Sequence, residues 1–327
     1  MSLKKAKSGK INVALVGPGN YAKDILIPLL RSNQQFNLRW VVSSNPLHSK
    51  QLAERYHFEN YGTDYREVLS DSDLDFVVIT TPNNLHYQMV LDAANEGKPV
   101  FVEKPLCISE EELRDLQSVQ NRTGATIVVG FNRRYAPLTL RLKKEMDRRD
   151  GPFLLNYRVN ADYIPMSRWT QDPRVGGGRI IAECCHFFDL FNFLLGKRSS
   201  ELHVTSTGIT NSTTVTRDNI VAVLKYPDGS IASLTYSALG NRSMDRERLE
   251  VFGQGAAFVL DDFKSLTIYE PLRTSVLKGK GQDKGHLAEF SELARMFRGE
   301  PSSVISFDEA VSAMETTFAA ERAVRSA

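Results

Sequence analysis

The chain has 327 residues, 42% of them apolar and 24% charged, with 41 basic side chains against 39 acidic ones. This composition is that of a folded globular protein of about two domains and excludes a largely disordered one. The near-zero balance supplies no basic stripe for nucleic acid, and no apolar run approaches the roughly 18 residues of a membrane span.

At the N-terminus Lys4, Lys5, Lys7 and Lys10 precede a short apolar run, an arrangement expected of a solvated end rather than a targeting segment. Apolar, β-branched runs then recur at Ile11–Val16, Leu38–Ser43, Asp75–Thr80, Pro99–Glu103 and Thr126–Phe131. Their length and composition predict buried parallel strands. Helical spacing fills the gaps. Ile25, Leu26, Leu29 and Leu30 lie within Tyr21–Arg31, and Met89, Val90, Ala93 and Ala94 within His86–Glu96. Ser109 with Glu112 forms a capping box ahead of another helix. The alternation predicts a doubly wound parallel sheet over residues 1–130.

Beyond about residue 150 the rhythm changes. Phe153–Ala161, Glu201–Ile209, Asn219–Tyr226, Ser230–Ser237, Arg248–Phe252, Ala256–Leu260 and Ser265–Tyr269 read as strands. Tight turns at Pro227-Asp228-Gly229 and Gly253-Gln254-Gly255 join several of them. Helices are expected at Ile180–Leu195, Gly285–Arg298 and Phe307–Arg325. Residues 131–327 therefore read as a second, α/β domain with a predominantly antiparallel open sheet. Arg141, Lys143, Lys144, Arg148 and Arg149, diluted by Glu145 and Asp147, read as a solvated helix face. Cys107, Cys184 and Cys185 are odd in number and lack metal-ligand spacing. They argue against a disulfide framework and a metal site, and for a reducing, cytoplasmic setting.

The chemistry-bearing motifs follow the strands. Gly17-Pro18-Gly19-Asn20-Tyr21-Ala22 is a G-x-G-x-x-A between the first strand and the first helix. Glycine there permits a tight turn and close approach of a dinucleotide pyrophosphate to the helix N-terminus. Gly17, Gly19, Asn20, Tyr21 and Ala22 are thus candidates to hold NAD or NADP. The second strand ends at Ser43, Ser44 and Asn45, with no carboxylate to repel a 2′-phosphate. With His48 and Lys50 close by, the reading tilts toward NADP. Thr81, Pro82, Asn83 and His86 follow the third run, and Glu103 and Lys104 the fourth. These are strand ends where ligands bind in such sheets. A lysine among apolar walls beside a cationic nicotinamide is expected to have a lowered pKa, suited to proton exchange with an alcohol. A structural ion pair at Glu103 with a solvated Lys104 is the alternative.

Together with Gly130-Phe131-Asn132-Arg133-Arg134-Tyr135, Gly176-Gly177-Gly178 and His186-Phe187-Phe188-Asp189, these motifs resemble the Gfo/Idh/MocA oxidoreductase family. The resemblance covers nearly the whole chain, and the motifs occur in the family's order. It implies a Rossmann domain followed by a mostly antiparallel α/β domain. It also implies hydride transfer between a nicotinamide cofactor and a hydroxyl/ketone pair of a sugar, sugar nucleotide, inositol or similar polyol. Lys104 matches the family's active-site lysine and His186 its catalytic-site histidine, which otherwise reads as a core residue. Many relatives carry Asp four residues before that histidine. Here the position is Ala182, with Glu183 next, a rotation of about 100° on an α-helix.

Arg133 is a further candidate for a cofactor phosphate, and Arg134 for a substrate carboxylate or phosphate, an ion pair where the two domains should join being the alternative for both. Asn160, Tyr163, Trp169 and Glu183 are candidates to meet a sugar-like substrate. Other outcomes compatible with the resemblance are an NAD-dependent glycosidase and a non-catalytic NAD(P)-sensing regulator. The expected partners are a small polyhydroxylated molecule and further copies of the chain, as a homodimer or homotetramer, with neither nucleic acid nor membrane.

Overall fold

The computed structural model describes residues 9–207 and 218–325. Lys4, Lys5 and Lys7, and the last two residues of the strand expected at Glu201–Ile209, lie outside them. The chain divides into two compact units. One comprises the residues up to Gly130 together with Leu287–Val311; the other comprises Phe131–His286 and the residues from Ser312 onward.

The first unit is built on β1 (Ile11–Val16), β2 (Phe36–Val42), β3 (Asn60–Gly62), β4 (Phe76–Ile79), β5 (Val100–Val102) and β6 (Ile127–Val129). They form one parallel sheet in the order β3-β2-β1-β4-β5-β6. This is the doubly wound order whose reversal beside β1 opens a ligand crevice at the strand C-termini. The helices are α1 (Ile27–Ser32), α2 (Pro46–Tyr56), α3 (Tyr65–Ser70), α4 (His86–Asn95) and α5 (Glu110–Thr123). The expected capping box is present on α5, where Ser109 Oγ accepts from the Glu112 N–H and Glu112 Oε2 accepts from that of Ser109.

The expected helix Tyr21–Arg31 is not uniform. Ala22–Leu26 is a π-turn and only then does α1 begin. Pro28 has no N–H to return to the carbonyl four residues back, so a regular α-helix cannot run through it.

The segment 287–311 lies within the region read from the sequence as the second domain. Its packing explains its place in the first unit. On α8 (His286–Phe297), Phe290 meets Phe101 with ring centroids 4.9 Å apart, and Phe297 stacks on Phe76 at 4.7 Å. Two strands of the parallel sheet are thereby covered by a helix from late in the chain.

The second unit carries an eight-stranded sheet. Its strands are β7 (Leu154–Asn160), β8 (Glu201–Ser206), β9 (Asn219–Lys225), β10 (Ile231–Ser237), β11 (Glu247–Gly253), β12 (Ala256–Asp261), β13 (Ser265–Glu270) and β14 (Arg273–Lys278). The order is β14-β13-β12-β11-β7-β10-β9-β8, antiparallel except where β7 meets β10. The short edge strands β3 and β14 were missed because neither has an apolar run of its own.

One face of this sheet packs on α7 (Cys185–Leu195), which buries Phe187, Phe188, Leu190 and Phe191. Residues of α6 (Pro137–Met146) and of the latter part of α9 (Phe307–Arg325) join that core. The basic face expected on α6 is partly an ion-pair cluster, since Arg141, Arg148 and Arg149 all converge on the buried Glu145. The opposite sheet face is unusually apolar. Ile231, Leu154 and Phe252 are in register on adjacent strands and each is about 40–50% exposed, in a fold whose outward positions are ordinarily polar.

Candidate functional site

In the first unit the glycine turn is locked against the loop after β4. Gly17 has φ +75°, and a Cβ on it would lie 2.4 Å from Thr81 Cγ2 and 2.7 Å from the Thr81 backbone. Thr80 Oγ1 donates to the Val16 and Gly17 carbonyls, and the Gly17 N–H donates to Val42 O. The position therefore admits only glycine. At Gly19, by contrast, a Cβ would meet nothing nearer than the Gly17 carbonyl at 4.0 Å. The backbone there is open to an approaching group. Asn20 and Tyr21 are exposed beside it, and Ala22 is buried beneath. A tight glycine, an open glycine and a helical start suit a dinucleotide pyrophosphate.

The tip of β2 is organised around Ser43 and Asn45. Asn45 caps α2, its Oδ1 accepting from the N–H groups of Leu47 and His48. Ser43 Oγ lies 3.2 Å from His48 Nδ1, and Ser44 is exposed. Lys50 pairs with Glu54, one turn along α2. The cation that tilted the sequence reading toward NADP is thus engaged along its own helix, and the geometry does not carry that preference.

After β5 come Glu103, Lys104 and Pro105, with a cis bond between the last two. Tyr21 of the glycine motif hydrogen-bonds the Glu103 carboxyl. Burial pushes that carboxyl above the ordinary glutamate range, opposed by the Tyr21 bond and the Lys104 charge. Lys104 itself is partly exposed.

His86 was expected to touch the cofactor; it is instead 1% exposed. Its Nδ1 lies 2.7 Å from Pro105 O and its Nε2 2.9 Å from Thr81 O. Burial holds its proton affinity below the ordinary histidine value; the Lys104 charge adds to this and the two carbonyls oppose it. Asn83, also buried, shares the short turn Asn83–Leu85 that follows Thr81 and Pro82.

In the second unit His186 is 7% exposed, in the first turn of α7, with Phe131 edge-on at 5.9 Å. The residues just before it, Ile180–Cys184, form a π-turn entered through Gly177 and Gly178, both with positive φ. The rotation between Ala182 and Glu183 is thus smaller than in an α-helix. Glu183 accepts from Arg246 Nη2 at 2.7 Å and forms an ion pair with Arg179, whose Nε lies 2.8 Å from its Oε1. Arg179, 2% exposed, also donates to the Tyr236 hydroxyl and the Asp162 carbonyl. Arg179, Arg246 and Tyr236 were not recognised from the sequence, because each lies far in sequence from Glu183 or resembles an ordinary strand or turn residue.

Arg133 and Arg134, read as ligand contacts or as ion-pair partners, both stand in buried ion pairs. Arg133 forks onto Glu247 with both bonds at 2.8 Å, and Arg134 onto Asp189 at 3.1 and 2.6 Å. Glu247 also accepts from the Tyr157 hydroxyl at 2.6 Å and Lys284 Nζ at 2.7 Å. Although burial alone would raise it, these cations hold the Glu247 carboxyl far below the usual range. Asn160 uses its amide to hold the carbonyls of Asn241 and Met244, a structural task. Tyr163 and Trp169 are 43% and 47% exposed.

Cys107, Cys184 and Cys185 are buried and form no disulfide. Among the described residues no helix is long and apolar enough to cross a membrane, and no cluster of His, Cys, Asp and Glu could hold a metal ion.

Comparison with known proteins bears on both units. Residues 11–131 match the family model described as oxidoreductase family, NAD-binding Rossmann fold. Residues 154–326 match that described as oxidoreductase family, C-terminal alpha/beta domain. The uncharacterized oxidoreductase YrbE of Bacillus subtilis is 27% identical over 279 residues, 82% of this chain and 77% of that protein. Inositol 2-dehydrogenase of Rhizobium meliloti is 25% identical over 284 residues, 86% and 82% of the two chains. Levoglucosan dehydrogenase, solved with NADH and levoglucosan, shares the fold with a TM-score of 0.81 at 19% identity, over 97% and 98% of the chains.

Proposed function

The chain belongs to the Gfo/Idh/MocA oxidoreductase family, and from that premise we propose that it transfers hydride between nicotinamide and a secondary alcohol or ketone of a polyhydroxylated substrate. The observation that carries this reading is the pairing of a glycine-only turn at Gly17, after β1, with Lys104 after β5, at strand C-termini of the same parallel sheet with only β4 between them. The names of the inositol and levoglucosan dehydrogenases support a sugar- or inositol-like substrate.

A bound NAD(P) would supply the hydride acceptor or donor. The chain's own residues supply the rest. Gly17, Gly19 and the first helical turn would hold the pyrophosphate, Ser43 and Ser44 the adenosine ribose, and Glu103 the nicotinamide end. In the first unit Lys104 gives or takes the proton at the substrate oxygen; in the second, His186 is the residue proposed as an acid–base group. Tyr163 and Trp169 offer rings to a sugar face. Arg133 and Arg134 have no part in it. The apolar row Ile231, Leu154 and Phe252 suits pairing of two copies through the outer sheet face, giving a homodimer or homotetramer.

The test is NAD and NADP binding, followed by a panel of sugars, inositols and sugar nucleotides with the preferred cofactor. Free NAD(P)H accumulating with a panel member supports the dehydrogenase. Glycoside hydrolysis without it would replace that reading. Lys104→Ala is expected to abolish turnover while leaving cofactor affinity nearly intact; unchanged turnover removes Lys104 from the mechanism.

A further inference from the structure

His86 joins two loops at the strand ends of the first unit. Its Nδ1 faces Pro105 O at 2.7 Å and its Nε2 faces Thr81 O at 2.9 Å. Both neighbours are backbone carbonyls, which only accept. A neutral imidazole has one N–H and satisfies one of them at a time, whereas an imidazolium satisfies both. The ring is 1% exposed, so losing its N–H would leave a carbonyl desolvated and unpaired.

The two loops are the ones that matter for the proposed chemistry. Thr81 seats directly on Gly17, and Pro105 immediately follows Lys104. A continuous path of contacts therefore runs from the glycine turn through Thr81, the His86 ring and Pro105 to the lysine turn. The charged group acting on the ring along this path is Lys104.

We propose that His86 is a positioning residue for Lys104, its ring fixing the turn that carries the amine and tying that turn to the loop seated on Gly17. It touches neither substrate nor cofactor in this role. The proposal rests on the reading of Lys104 as the proton-handling group.

The experiment needs no substrate. The full-length protein and its His86→Gln and His86→Leu variants are acetylated with limiting acetic anhydride. Labelling of Lys104 is read by peptide mass spectrometry against Lys50, an exposed lysine of the same unit. Folding is checked by thermal unfolding, and cofactor binding by NADH fluorescence. Losing one net hydrogen bond shifts a local equilibrium about fivefold, so His86→Leu is expected to change the Lys104-to-Lys50 ratio by at least that factor. His86→Gln keeps one amide donor and is expected to recover part of the difference.

Should the leucine variant fail to fold, His86→Gln against the parent protein decides. A folded, NADH-binding variant with an unchanged ratio overturns the proposal alone. Retained turnover in Lys104→Met overturns the reading of Lys104, and the proposal with it.

Discussion

In the first unit the candidate residues are held by backbone: a glycine against Thr81, a carbonyl on each side of His86, an Asn45 cap. In the second they are flanked by charge. Arg179 and Arg246 close on Glu183, Arg133 on Glu247 and Arg134 on Asp189. The difference follows from what each surface has to do. A dinucleotide is anionic and makes its closest contacts with main-chain N–H groups, so small residues and exposed backbone serve it. A unit whose helix carries a buried histidine must fix that helix by side chains, and arginine forks on carboxylates do so with directional bonds.

The contrast is broken most severely in the second unit. Removing one partner of a buried, doubly bonded ion pair is expected to cost about 3–5 kcal/mol. Arg133→Ala strips two bonds from Glu247, a carboxylate only 1% exposed, and leaves it with Lys284 and Tyr157. Denaturant unfolding followed by second-unit tryptophan fluorescence at Trp169 should show a loss of that size. A change below about 1 kcal/mol, the scale of an exposed pair, would mean the fork is not the anchor described.

Gly17→Ala should break the first unit differently. The new methyl has no room against Thr81, and φ +75° is unfavourable for alanine. Overpacking and backbone strain each cost about 1–3 kcal/mol. Part of this is relieved by moving the loop, so NADH affinity is expected to fall about 100-fold while the second unit's unfolding is unchanged. Tight NADH binding by the alanine variant would show that the turn is not the cofactor cradle.

A third prediction uses pH. Burial, reinforced by the Arg133 and Lys284 charges, lowers the pKa of His286 to about 4. The folded state therefore binds this proton less readily than the unfolded chain, whose histidine titrates near 6.5. The contribution of neutral His286 is complete above about pH 6.5 and is lost as pH falls toward 4, amounting to about 3 kcal/mol. His286→Asn should flatten the stability–pH curve in that window. The depressed carboxyl of Glu247 acts lower: its contribution is present above the ordinary glutamate pKa and fades only in stronger acid.

Legibility in the sequence followed the range of the interactions involved. The strands of the parallel sheet other than β3, the capping box at Ser109 and the hairpin at Gly229 depend on neighbours a few residues apart, and each is where periodicity or turn chemistry put it. The glycine motif was readable for the same reason. Long-range pairings were not. Arg133 finds Glu247 and Glu183 finds Arg246 across 114 and 63 residues, and nothing local marks an arginine as already taken. The segment carrying Phe290 and Phe297 has the periodicity of any amphipathic helix, which does not say which sheet it covers. His86 fell between these cases. Its place after Thr81 was visible, but its burial between two carbonyls depends on Pro105, 19 residues on.

The smallest effect tests the corner of the first unit where β2 meets α2. Lys50 pairs with Glu54 at 3.9 Å, and both side chains are more than half exposed. Such an i,i+4 pair contributes about 0.3–0.5 kcal/mol and is screened by salt. Were Lys50 the reader of a 2′-phosphate, Lys50→Ala would lower NADP affinity while sparing NAD. The geometry instead predicts that the NAD-to-NADP affinity ratio is unchanged. Selectivity should then follow the Ser43–His48 pair, because Ser43 Oγ and the His48 ring lie at the β2 tip itself. Ser43→Asp is the sharper companion variant. A carboxylate at that tip accepts from ribose hydroxyls and repels phosphate, so the ratio should move toward NAD. If Lys50→Ala moves the ratio and Ser43→Asp does not, the ribose end is read from α2, and the picture of a backbone-built first unit fails at that corner.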